Sequence, residues 1–114
     1  MKVLKNVTTE IKKSGDDLLE YEDLIRTCLN DVPTNPATGM PTGFTRQEMK
    51  NRDRIEQAVD ASNGEFRFED ADAENLKQLV LCMRWMVRHK DVLKFIDDVE
   101  NMETVNEQSA STQE

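Results

Sequence analysis

The sequence is short of the residues that chemistry and membranes usually require. It has one histidine, two cysteines, one tryptophan, one tyrosine and four glycines. One histidine and two separated cysteines, with no C-x-x-C and no H-E-x-x-H, supply too few ligands for a zinc centre within the chain. There is no G-x-G-x-x-G and no G-x-x-x-x-G-K, so no phosphate-cradling loop is expected. The longest nearly apolar stretch, residues 79 to 87, is interrupted by Arg84, whereas a membrane span needs about 20 residues. Lys2 and Lys5 precede no apolar region, so no secretory signal is expected. Cys28 and Cys82 both lie in apolar helical patterns, where free cysteine behaves as a small hydrophobe. A reducing, cytoplasmic setting follows as the simplest reading.

What is present is charge, with a bias. The 114 residues carry 23 acidic and 15 basic side chains, a net of −8. That balance repels polyanions at long range, so a nucleic-acid partner is not expected. Hydrophobic residues make up 37% of the chain, enough for one modest core.

Hydrophobic spacing predicts a mainly α fold: a small bundle of about four helices, with a long Pro/Gly loop between the first two. Ser14-Gly15-Asp16-Asp17 reads as a helix start. Leu18, Tyr21, Leu24, Ile25, Cys28 and Leu29 then continue a helix over residues 16 to 31. Residues 33 to 43 hold all three prolines and two glycines, which no helix survives. Thr45 and Glu48 form a capping box, with Phe44 and Met49 at the staple positions. A second helix therefore starts there, with Met49, Ile55, Ala58 and Val59 as its apolar stripe. Asn63-Gly64 ends it.

Glu65 to Glu69 alternates like a strand. Its only obvious partner is the N-terminus, giving a minor two-stranded ribbon of residues 2–8 with 65–69. A third helix from about residue 72 to 90 carries Leu76, Leu79, Val80, Met83, Met86 and Val87 on one face. Leu81, Cys82 and Trp85 occupy a second face. Asp91 is expected to cap a fourth helix over 91–102, either separate or continuous with the third. The domain is expected to span 1–102, followed by a disordered, polar acidic tail over 103–114 that lacks any period.

No constellation suggests catalysis. Asp70, Asp72 and Glu74 resemble half of a calcium loop, but Asn75 and Leu81 stand where glycine and glutamate are needed. They read instead as acids at a helix start. Arg84 and Arg88 share a helix face beside Trp85, a basic stripe that ion pairing explains. Neither cofactor, metal nor small-molecule substrate is inferred, and the chain is expected not to be an enzyme.

Two functional classes remain. The first is a protein-interaction module, a homo-oligomeric assembly or adaptor protein of the kind phage and accessory systems use. Its contacts would come from Leu81, Met83, Arg84, Trp85 and Arg88 on the third helix. The proline loop would add Asn35, Met40 and Phe44. Interfaces favour tryptophan, methionine and arginine. The second is an acidic inhibitor whose carboxylates mimic nucleic-acid phosphate and fill a basic groove. Asp16, Asp17, Glu20, Asp23, Asp70 and Asp72 would form that surface.

Overall fold

The computed structural model describes residues 1–85 and 88–105. Four helices and five strands are present among them, so the fold is mixed α/β and not the mainly helical bundle that the spacing predicts. The strands are β1 (Lys2–Lys5), β2 (Thr8–Ser14), β3 (Asp17–Glu20), β4 (Glu65–Phe68) and β5 (Glu103–Thr104). The helices are α1 (Tyr21–Leu29), α2 (Arg46–Asp60), α3 (Asp70–Cys82) and α4 (Lys90–Glu100).

The N-terminal strand does pair with residues 65–68, with Leu4 opposite Phe66 and Lys2 opposite Phe68. It is the centre of a three-stranded antiparallel sheet in the order β4-β1-β5. Glu103 and Thr104, placed by the sequence reading in a loose tail, pair there with Val3 and Lys2. Residues 106–114 of that tail lie outside the described residues.

The largest correction lies at residues 8–20. Ser14-Gly15-Asp16-Asp17 is a hairpin turn, not a helix start. Ser14 faces Asp17 across a two-residue connection, and Gly15 takes φ +55°, a conformation that short hairpin turns need and glycine adopts without strain. Thr8, Thr9 and Ile11 supply the β-branched residues that favour an extended chain, and Thr9 and Ile11 are buried.

Helix α1 therefore starts five residues later than expected. Its exposed amide groups find two side-chain caps, one carboxylate and one carboxamide. The Asp23 carboxylate accepts from the Glu20 N–H at 2.9 Å. Asn6 Oδ1 accepts from the Glu22 N–H at 3.1 Å, while its Nδ2 donates to Glu20 at 2.7 Å. Tyr21, Leu24, Ile25, Cys28 and Leu29 then form one buried stripe at helical spacing.

Helix α2 begins where the capping box places it. The Glu48 N–H donates to Thr45 Oγ1 at 3.1 Å and the Thr45 N–H to Glu48 Oε1 at 2.9 Å. Hydrogen bonding from the Thr45 backbone first, and from its side chain second, holds the Glu48 carboxyl below its ordinary range. Ile55 and Val59 are its buried residues. Met49, assigned to the apolar stripe by sequence, is 54% exposed, because six residues from Ile55 is about 120° around the helix.

Helix α3 ends at Cys82, well short of residue 90, and Met83 is extended at φ −70° and ψ 137°. The helix therefore stops at Cys82, and α4 is a separate helix. The break lets Trp85 turn back so that its ring meets Phe95 edge-on at 5.9 Å. Had the helix continued, that indole would have stayed on an outer helical face. Helix α4 is capped by His89, whose Nδ1 accepts from the Asp91 N–H at 3.0 Å, and not by Asp91 as expected.

One core joins the elements. Leu4, Phe66 and Phe68 come from the sheet, the α1 stripe and Ile55 from one side, and Leu76, Val80, Phe95 and Val99 from the other. Tyr21 meets Phe95 edge-on at 5.0 Å and donates its hydroxyl to Asp98 at 2.6 Å. Burial and the Asp98 carboxylate both hold that phenol in its neutral form beyond the ordinary tyrosine range.

Candidate interaction face

Arg52 on α2 organises the surface nearest the proline loop. Its Nη1 donates to three carbonyls at the end of α1: Cys28 at 3.1 Å, Leu29 at 2.9 Å and Asp31 at 2.7 Å. A helix end leaves its last carbonyls without partners, and here a side chain from the next helix supplies them. The guanidinium also lies 4.7 Å from the centre of the Phe44 ring, a cation–π contact.

Two shallow grooves flank this arginine. One, of about 240 Å³, runs between α2 and α3 past Glu48, Leu79 and Cys82. The other, of about 290 Å³, is lined by Leu29, Phe44, Met49 and Glu56. Between and outside them lies the solvent face of α2. Arg46, Met49, Lys50, Asp53, Gln57 and Asp60 are all exposed there and fall within an arc of about 100° at 100° per residue. The stripe is basic at its start and acidic at its end.

The proline loop is more ordered than its composition suggests. Thr34 bridges Pro41. The Gly39 N–H donates to the Asn35 carbonyl at 2.7 Å, and the Ala37 N–H to Asn35 Oδ1 at 2.8 Å. Asn35 is therefore spent on folding its own turn. Met40 is left 65% exposed at the loop, while Phe44 is half-buried over Arg52.

The residues expected on the third helix separate. Leu81 is 46% exposed. Met83 and Trp85 pack against the core. Arg84 and Arg88 are exposed but lie outside any helix, so they share no helical face.

The acidic set also separates. Asp16 and Asp17 are exposed at the hairpin turn. Glu20 and Asp23 serve the start of α1, with Asp23 also 3.4 Å from Lys13. Asp70 pairs with the N-terminal amine at 3.1 Å and the buried Asp72 with Arg54 at 3.3 Å.

The two cysteines differ, contrary to the sequence expectation that both are core. Cys28 is 1% exposed, and burial pushes its thiol up to about 12. Cys82 is exposed at the α2–α3 groove. A thiol reagent should therefore titrate one cysteine in the native protein and two after unfolding, and Cys82→Ser should remove the native reaction. Because Cys28 ionises at 9.0 when ordinary and near 12 when folded, the unfolded chain loses its proton first. Stability from this group is complete below pH 9.0 and is lost as pH rises towards about 12. A flat stability profile across that window would contradict the burial of Cys28.

Glu10, His89 and Asp91 are also brought together, although 79 residues separate the first two in sequence. No spacing rule pairs them. Arg52 as a cap for α1 was equally hidden within a cluster of basic residues, and only its three carbonyl partners reveal it.

Compared with known protein families, with curated proteins and with solved structures, the chain shows no match.

Proposed function

We propose that the chain is a non-enzymatic protein-interaction module, a self-associating assembly or adaptor protein. The observation that carries this reading is the solvent face of α2, exposed along its whole length around Met49. A two-fold interface sets each patch against its own copy. Laid antiparallel on a second α2, Arg46 and Lys50 meet the Asp53 and Gln57 end of the copy, and the reverse holds at the other end. The stripe is complementary to itself. Phe44 and the adjoining apolar groove extend it with the aromatic and methionine content that interfaces favour. Contact through Trp85, the anchor expected from sequence, is not part of this proposal, since its indole packs on Phe95.

The alternative, a phosphate mimic, is weakened by the structure. Four of its six carboxylates already serve the amine of Met1, Arg54, Lys13 or the first turn of α1. A mimic needs them aligned on one face, whereas these six are divided among the hairpin turn, the start of α1 and the start of α3.

Light scattering behind a sizing column should give a dimer at low salt that dissociates as salt rises, because exposed charge pairs are screened. Arg46→Glu with Lys50→Glu makes the stripe wholly acidic and should yield monomers. Asp53→Lys with Gln57→Lys makes it basic and should do the same. Mixing the two variants should restore a dimer, now mixed. A monomer at every salt concentration, or a wild-type dimer indifferent to either variant, would rule out this face.

A further inference from the structure

Three side chains from two elements converge at the N-terminus of α4. Glu10 comes from β2, His89 is the cap of α4 and Asp91 lies in its first turn. Each offers one ligand atom, and these atoms lie within 4.8 Å of one another. We propose that this trio binds a transition-metal dication of the zinc class and thereby ties the β2–β3 hairpin to α4.

The donor set selects the class of ion. One imidazole nitrogen and two carboxylate oxygens suit zinc and its neighbours, with water completing the coordination. Calcium and magnesium call for six or more oxygens, which the trio does not supply.

The trio is also partly pre-arranged. The Glu10 N–H donates to Asp91 Oδ2 at 2.8 Å, which fixes that carboxylate against β2. His89 Nδ1 lies 3.9 Å from the same oxygen. Since Nδ1 accepts the Asp91 N–H, the neutral ring carries its proton on Nε2. Coordination through Nδ1 uses that same tautomer.

Two groups now hold the positions a metal would take. The Asp91 N–H uses the Nδ1 lone pair. The Lys90 ammonium sits 3.1 Å from Glu10 Oε2, with both side chains more than 70% exposed. The lysine is thus a monovalent counter-ion on a flexible stem, free to swing into solvent when a dication arrives. The positive end of the α4 dipole opposes any cation, and the two carboxylates offset it. These competitors make the site weak, and they give it a signature: removing Lys90 should strengthen metal binding.

The test uses the full chain without a tag, in a Cys82→Ser background so that the exposed thiol takes no metal. Zn²⁺ is the probe. The chain has one histidine, so the imidazole resonances report on His89 alone. They should shift saturably with Zn²⁺, and the melting temperature should rise with metal concentration. His89→Asn keeps a good helix cap but removes the imidazole ligand, and should weaken binding by more than the roughly 10- to 100-fold that losing a group which only supports a ligand costs. Glu10→Gln, at an exposed position, should weaken it without unfolding the protein. Lys90→Gln should strengthen it several-fold. Unmoved His89 resonances in excess Zn²⁺ would overturn the proposal. So would binding that survives His89→Asn or is indifferent to Glu10→Gln and Lys90→Gln.

Discussion

Phe95→Ala should cost about 3–5 kcal/mol, the usual range for deleting a fully buried phenylalanine. Total stability for a domain is only about 5–15 kcal/mol, so the variant should be close to unfolding. Phe95 is 0% exposed and is the ring that both Tyr21 and Trp85 meet edge-on. Its loss removes a ring contact between α4 and α1 and the contact on which Trp85 packs. The single tryptophan reports on the second directly. Its emission should shift to the red in the variant even below the unfolding transition. In urea, with a slope of about 1–3 kcal/mol per molar, the midpoint should fall by more than about 1 M. Leu93→Ala, on the same helix but 66% exposed, should stay within about 0.5 kcal/mol of the parent. Equal midpoints for the two variants would show that α4 is not anchored through Phe95.

Arg52→Ala should destabilise by about 2 kcal/mol. Hydrogen bonds from charged groups contribute about 1.5–3 kcal/mol each, but these three share one nitrogen and one donates to an exposed residue, so they do not add. Truncation leaves the carbonyls of Cys28, Leu29 and Asp31 without that donor and uncovers Phe44. Hydrogen exchange should rise at the end of α1 and in residues 30–44 before it rises elsewhere. Arg52→Lys should recover only part of the loss. An ammonium is a point charge that cannot also lie flat against a ring. Full recovery by lysine would mean that the positive charge alone, and not the planar fork, holds the loop.

Much of the molecule follows from short-range rules. Thr45 and Glu48 mark the start of α2 because a capping box involves only neighbouring residues. Glu65 to Phe68 alternates because a strand with one buried face must. The stripe from Tyr21 to Leu29 is helical at its own spacing. Three prolines ensure that residues 33–43 are not a helix.

Other features were decided only by tertiary structure. Ser14-Gly15-Asp16-Asp17 is locally as good a helix start as a hairpin turn. The pairing of β2 with β3, together with Asn6 at the first turn of α1, selects the turn. Nothing near Cys82 stops a helix: the sequence has no glycine or proline after Gly64. Helix α3 ends because Trp85 gains burial against Phe95, ten residues further on. Glu10 meets His89 and Asp91 only once the hairpin lies against α4. The sequence by itself determined which segments are amphipathic and where charge and capping groups sit, since those depend on residues within one or two turns. Which of two locally acceptable conformations is adopted depends on apolar area and polar partners supplied by distant segments, and only the assembled core decides that.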